Sequence, residues 1–240
     1  MTQRPVAFVS GSGRNIGFAI ALELLRSGFN VCFNGRTLEM EMTEAEALAQ
    51  LEGGQIKYLA GDVCVPEDVS RMFSELEECF GALDVLINNA SCRRETAFEE
   101  LSLDEWRDIL HPQLDALFLT TKAALPMLKR SRRGRIINIG GMTGHAGAAN
   151  RAHVVTLKAA VAGFSKALSC EFGSTSLTVN TVVPGAIDTK RSGAIPAHFS
   201  EIGTRPGKPE EVAFIVAQLC DERASYVNGQ TVHVNGGAYV

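Results

Sequence analysis

One pattern constrains this chain more than any other: short β-rich apolar runs alternate with longer runs that have helical spacing. The β-rich runs fall at 6–9, 30–34, 56–60, 84–88, 135–139, 177–183 and 231–234, and the helical ones at 16–27, 40–52, 67–79, 103–129, 154–172 and 209–220. Strands separated by helices need crossover connections, which are right-handed and build a parallel sheet with helices on both faces. The pattern therefore predicts an α/β architecture with one doubly wound sheet of seven parallel strands. No repeat, low-complexity tract or linker interrupts it, so a single domain is expected over 1–240. With 240 residues, 45% of them apolar, the chain has the material for a substantial core.

The composition excludes several classes. No apolar run approaches the ~18 residues of a membrane span. Met1-Thr2-Gln3-Arg4 leads straight into an apolar strand, without the apolar stretch or cleavage site of a signal peptide. A soluble, cytoplasmic protein with no membrane partner is expected. The net charge is −4 with both signs scattered, so no basic surface points to nucleic acid, and the expected partner is a small-molecule substrate. The six cysteines show no CxxC or Cys/His ligand spacing, which points to reduced, mostly buried thiols and no metal. One long irregular stretch, 185–208, carries Gly193, Gly203, Gly207, Pro196 and Pro206. A loop of that length in a compact domain is expected to cover a site, as a lid over about 188–207.

Ser10-Gly11-Ser12-Gly13-Arg14-Asn15-Ile16-Gly17 directly follows the first strand and opens the first helix. In that setting glycines permit a tight turn and a close backbone approach, while the N–H groups and dipole of the helix start attract a pyrophosphate. Taken alone, the segment also fits a glycine-eased strand-to-helix turn. At the end of the second strand, where a site for NAD carries an acidic residue for the ribose 2′-hydroxyl, the chain has Asn34-Gly35-Arg36-Thr37. No carboxylate there repels a phosphate, and Arg14 and Arg36 are the candidates to meet a 2′-phosphate with charge-assisted bonds. The expected cofactor is NADP(H); two solvated surface arginines are the competing interpretation.

Further segments follow in order: Asp62-Val63 after the third strand, Asn88-Asn89-Ala90 after the fourth, Gly134-Arg135-Ile136-Ile137-Asn138-Ile139, Lys158-Ala159-Ala160 in a helix, Pro184-Gly185-Ala186-Ile187-Asp188-Thr189, and the ending 228–237. With these the chain resembles, over nearly its whole length, the short-chain dehydrogenase/reductase family, in particular members similar to 3-oxoacyl-carrier-protein reductases. The resemblance implies a Rossmann fold that binds a nicotinamide cofactor and exchanges hydride with a small carbonyl or alcohol. It implies adenine contacts from Asp62 and Val63, a cofactor-lining role for Asn89 and Ala90, and a bond from Lys158 to the nicotinamide ribose. The segment opened by Pro184 and Gly185 would hold the carboxamide through Ile187 and Thr189. Gly11, Ser12, Arg14, Asn15, Ile16, Gly17, Arg36 and Thr37 complete the expected cofactor site. A homotetramer is also implied, packed through the last strand and the helix bearing Ala159, Ala160, Val161 and Phe164.

Two residues inside these motifs depart from the family pattern. Asn15 stands for the middle glycine of the turn, and Ser91 for the glycine that completes Asn-Asn-Ala-Gly. Both are small and polar, and Asn tolerates left-handed backbone, so modest effects on binding are expected.

The chemical residues depart further. The family uses the Tyr of a YxxxK motif as general acid, a Lys that lowers its pKa, a Ser that holds the substrate oxygen and a helix Asn that orders a relay water. Anchored on Lys158, the Tyr position falls on Val154, the Ser position on Gly141 and the Asn position on Gln113, preceded by Pro112. That proline is able to kink the helix and free a carbonyl without an Asn. The tyrosines are Tyr58, Tyr226 and Tyr239, none four residues before a lysine, and the longer spacing of enoyl reductases lands on Arg151. Catalytic expectations therefore rest on Lys158 and Gln113.

Losing a positioned general acid costs roughly 10²–10⁴ in rate, so reduction of an ordinary ketone is expected to be very slow. Stand-ins are His145, four residues after Gly141, and Cys92, just past the Asn-Asn-Ala-Ser turn, with Arg93 and Arg94 beyond it to attract an anion. For each, a plain surface or pocket-wall role is the commoner one. His153 adjoins Val154, but one residue along a helix turns a side chain by about 100°. Three functions stay open: an atypical NADP(H)-dependent oxidoreductase, a non-catalytic NADP(H)-binding partner subunit or sensor, and non-redox chemistry in the same pocket.

Overall fold

Strand β1 (Val6–Val9) shows why the sheet is buried on both sides. Ala7 and Val9 join one apolar cluster, Val6 and Phe8 the other, and none of the four is more than 1% exposed. A strand that is apolar at every position belongs in a parallel sheet covered on both faces. The computed structural model describes residues 4–37, 43–91, 94–189 and 205–240. Within them β1, β2 (Asn30–Gly35), β3 (Ile56–Ala60), β4 (Val85–Asn88), β5 (Arg135–Ile139), β6 (Thr178–Pro184) and β7 (Thr231–Val234) form one sheet. The order is β3-β2-β1-β4-β5-β6-β7, and every pairing is parallel. The expected doubly wound, Rossmann-type sheet is what forms. The order reverses between β1 and β4, and such a switch point opens a crevice beyond the carboxyl ends of the strands.

One face carries α1 (Asn15–Arg26), α2 (Thr43–Glu52) and α7 (Pro209–Cys220). The other carries α3 (Pro66–Phe80), α4 (Leu103–Arg130) and α6 (Ala152–Glu171), with the single-turn α5 (Thr143–Ala146) packed on α6. Helix α3 follows from its sequence: Val69, Met72, Phe73, Leu76 and Phe80 fall on one stripe and are buried, Pro66 opens the first turn, and Gly81 closes the helix at φ 68°. The spacing missed α5 and a 3-10 turn at Glu222–Ala224, both too short to show a period. It also started α6 two residues late, and residues 40–42 of its second helix lie outside the described residues.

Three expectations need correction or limits. The lid falls mainly on residues outside those described, but its feet are joined: Ile187 and Gly207 form a parallel bridge, with Asp188 N–H donating to Gly207 O at 2.7 Å and Gly207 N–H to Ala186 O at 2.8 Å. Among the described cysteines all are free thiols, yet only Cys32 and Cys220 are buried. Cys64 is half-buried, and Cys79 and Cys170 are exposed on the outer sides of their helices. Burial pushes the Cys220 thiol up to about 12 and raises that of Cys32 as well, which makes both inert. Of the four α6 residues expected at a subunit contact, Val161 is buried within the chain's own fold; Ala159 is exposed, and Ala160 and Phe164 are half-buried. Among the described residues, no helix is long and apolar enough to cross a membrane, and no group of three metal-ligating side chains occurs.

Candidate functional site

The turn after β1 is held by side chains from three strands. Ser10 Oγ accepts from the backbone N–H groups of Asn89 (2.9 Å) and Ala90 (3.1 Å), and Asn89 Nδ2 donates to the carbonyls of Ser10 and Gly11, both at 3.0 Å. Asn34 works from the other side. Its Oδ1 accepts from Gly11 N–H, and its Nδ2 donates to the carbonyls of Leu59 and Gly61, each at 3.1 Å. Ser12 is 0% exposed and its hydroxyl accepts from Asn34 N–H at 2.8 Å. Ser12 therefore belongs to the foundations of the turn, a correction to its expected place facing a ligand.

Two backbone demands explain the glycine spacing and its exception. A Cβ on Gly17 would stand 2.4 Å from Asn89 Nδ2 and 2.5 Å from Gly11 O, so only glycine lets α1 start this close to the turn. Asn15 sits at φ 54°, the left-handed conformation that Asn accepts more readily than most residues. The substitution thus keeps the shape of the glycine turn.

This surface fits a dinucleotide phosphate. No side chain caps the start of α1 and its first turn holds no acid, which leaves the positive end of the helix facing an anion. Arg14 and Arg36 are exposed, as is Thr37. Beyond β3, Asp62 Oδ1 accepts from Cys64 N–H at 2.9 Å, which sets the backbone course beside the 5%-exposed Val63. Pro184 ends β6, Gly185 N–H donates to Val234 O at 3.0 Å, Ile187 is buried and Thr189 half-buried. Ile16 is half-buried at the start of α1.

The chemical end lies beyond β4 and β5. Lys158 leaves α6 and lays its stem across Gly141: a Cβ there would stand 3.2, 3.3 and 3.4 Å from Lys158 Cγ, Cδ and Cε. Its ammonium donates to Ser91 Oγ at 3.1 Å and to Ile139 O at 3.5 Å. Ser91 Oγ in turn donates to Gln113 Oε1 at 2.8 Å, and Gln113 Nε2 donates to Ile109 O at 3.1 Å. Helix α4 runs unbroken through Pro112, and the amide of Gln113 supplies a donor within the turn where the proline has none. The structure thus brings Lys158 and Gln113 together through Ser91, which sequence reasoning had registered only as a departure from glycine.

Below them is a cavity lined by Lys158, Gln113, Ala90, Asn88, Thr120 and Leu157, among others. Ala90 joins the two ends, since a Cβ on Gly11 would stand 3.0 Å from its Cα. The cavity floor rests on a buried polar network. Thr120 Oγ1 donates to Asn88 Oδ1 (2.7 Å), Asn88 Nδ2 to Asn138 Oδ1 (2.8 Å), Asn138 Nδ2 to Ser165 Oγ (2.8 Å) and Thr181 Oγ1 to the same hydroxyl (2.7 Å). Linked in this way, the groups fix the strand ends.

Of the suggested stand-ins, His145 is not among the residues that line this cavity. His145 packs edge-on against His233 (4.8 Å between centroids), with Tyr239 beside both rings. Burial, then His233 and Lys166, hold its pKa below the usual value. It braces α5 against β7 and the residues after it. His153 is fully buried and neither ring nitrogen has a partner among the described residues, so it is a core residue one turn from Leu157. Val154 is 5% exposed. Cys92 and Arg93 lie outside the described residues, and Arg94 pairs with Glu105 at 3.7 Å.

Known proteins resemble this chain in sequence and fold. The family described as Enoyl-(Acyl carrier protein) reductase, adh_short_C2, matches residues 11–239. The chain is 37% identical over 244 residues to the 3-oxoacyl-[acyl-carrier-protein] reductase FabG of Pseudomonas aeruginosa, covering 99% of this chain and 98% of the relative. It is 34% identical over 244 residues to FabG of Aquifex aeolicus, with the same coverage. Among solved structures, YwfH, an NADPH dependent reductase involved in bacilysin biosynthesis, superposes with a TM-score of 0.89 at 29% identity over 99% of both chains. Acetoin dehydrogenase YohF from Salmonella typhimurium gives 0.88 at 31% identity, over 98% of this chain and 96% of that one. With matches along nearly its whole length, the chain belongs to the short-chain dehydrogenase/reductase family of NAD(P)-dependent oxidoreductases.

Proposed function

We propose that this protein uses NADP(H) to move hydride to or from a small carbonyl or alcohol without the family's usual Tyr and Ser. One observation carries the reading: the ammonium of Lys158 is held at the head of a cavity whose wall, Ala90, also packs against the glycine turn. A bound nicotinamide supplies or accepts the hydride. Gly11, Asn15, Ile16 and the start of α1 hold the pyrophosphate, Arg14 and Arg36 the 2′-phosphate, and Asp62 and Val63 the adenine. Asn89, Ala90, Ile187 and Thr189 line the nicotinamide side, and Lys158 bonds its ribose. With Val154 and Gly141 in place of two hydroxyls, the substrate is one that needs little protonic help, such as an activated carbonyl. The same two residues favour a second reading, a cofactor-binding subunit without turnover. The enzyme is proposed to assemble as a homotetramer through the outer side of α6, and a monomer mass by light scattering would remove that part.

Titration of the protein with NADPH and, separately, NADH tests the reading. NADPH is expected to bind more tightly, and Arg36→Asp to lower NADPH affinity by about tenfold to a hundredfold, the worth of a hydrogen bond to a charged group, while NADH affinity barely changes. Binding of neither cofactor to folded protein overturns both readings; NADPH binding with no carbonyl-dependent oxidation leaves the second.

A further inference from the structure

We propose that Ser91 supplies the hydroxyl this site lacks at 141 and 154, donating to the substrate oxygen with Lys158 behind it. The inference rests on the reductase reading. Its first support is the direction of the hydrogen bonds. A lysine ammonium only donates, so at 3.1 Å Ser91 Oγ accepts from Lys158. The single hydroxyl proton of Ser91 then points to Gln113 Oε1 at 2.8 Å. Gln113 presents that oxygen because its Nε2 is occupied by Ile109 O. The proton is thus parked on an uncharged acceptor whose place a substrate carbonyl oxygen can take.

The second support is position. Ser91 is exposed, follows Ala90 and so stands where the wall of the cofactor turn meets the cavity. Glycine at 141 is part of the same arrangement, because the stem of Lys158 occupies the space in which a side chain there would begin.

The third support is acidity. Serine alone is a poor acid, but the proton that finally leaves is the ammonium's. Relay from Lys158 through Ser91 therefore lets the serine hand on a proton without being left as an alkoxide. In the reducing direction a C–H bond forms at the carbonyl carbon with hydride from the reduced nicotinamide, which is oxidised. The carbonyl π pair moves onto oxygen, that oxygen takes the Ser91 proton, and Ser91 Oγ takes one from Lys158 Nζ. Lys158, left as the neutral amine, recovers a proton from solvent.

The test compares wild type with Ser91→Ala, Ser91→Gly and Ser91→Thr, by calorimetric titration with NADPH and by NADPH oxidation with 2,3-butanedione and ethyl acetoacetate. Ser91 is exposed, so the smaller residues leave no buried void. The expected result is an NADPH dissociation constant within about twofold of wild type in every variant, a fall in kcat of roughly 10²-fold or more for Ala and Gly, and retention within about tenfold for Thr. Wild-type kcat in Ser91→Ala and Ser91→Gly overturns the inference and leaves the reductase reading standing. A parallel loss of NADPH affinity also overturns it, since Ser91 would then only prop Lys158 for the ribose. Wild type that binds NADPH but reduces neither probe overturns the inference together with the reductase reading.

Discussion

The turn after β1 and the pocket around Lys158 share one edge of the sheet and touch through Ala90, yet they are built in opposite ways. In the turn, Ser10, Ser12, Asn34 and Asn89 spend their polar atoms on backbone groups. In the pocket, Ser91 bonds the side chains of Lys158 and Gln113, each of which also donates to a backbone carbonyl. A backbone-locked turn accepts a new residue only where the local conformation already suits it, as Asn15 does at φ 54°. Side chains that pair with side chains are free to change in sets. The first region is therefore expected to keep its shape across substitutions, and the second to be the easier one to alter.

Restoring the family's acid tests the pocket half of this contrast and carries the largest expected effect. In a Ser91→Ala background, Val154→Tyr with Gly141→Ser should raise turnover of simple β-ketoesters by about 10²-fold or more, the worth of a positioned acid. No gain would mean that the pocket differs in more than two groups, since a serine side chain introduced at Gly141 must also displace the stem of Lys158. Gly17→Ala tests the turn. With its new Cβ 2.5 Å from a backbone oxygen, the change should cost about 1–3 kcal/mol, visible as a fall of several degrees in Tm, together with weakened NADPH binding. An unchanged Tm would show the turn to be softer than its packing.

The smallest effect concerns His145, which belongs to neither half. Its folded pKa lies below the unfolded value of 6.5, so the unfolded chain takes up the proton first as pH falls. The stability it permits is complete above about 6.5 and is lost as pH drops from there through the folded pKa. His145→Asn should flatten the decline of Tm between about pH 7 and 5, and an unaltered slope would place the acid sensitivity elsewhere.

The sheet was legible because β-rich runs such as 6–9 and 135–139 can be satisfied in few ways, and because crossover handedness leaves few topologies. Asn15 was legible too, since residue type and backbone conformation are locally linked. What the sequence hid was reach. Lys158 meets Ser91 across 67 positions and Ser91 meets Gln113 across 22, and no periodicity reports such pairings. His145 is drawn to a ring on β7, and Ser12 turns inward because Asn34, on the neighbouring strand, offers it a partner. In each case the deciding partner is distant in sequence and polar, so hydrophobic pattern carries no trace of it. Ser91 alone left a clue, as a hydroxyl where the family resemblance calls for a glycine.

Mutation proceeds one residue at a time, and the contact between Gly141 and the stem of Lys158 turns that into a one-way gate. A serine arriving alone at 141 pushes on the lysine before any tyrosine exists at 154 to benefit. A tyrosine arriving alone at 154 finds its lysine engaged with Ser91. Each single step back toward the ordinary family arrangement thus disturbs what works before it adds anything. Gly141 and Ser91 are therefore expected to change together rather than singly.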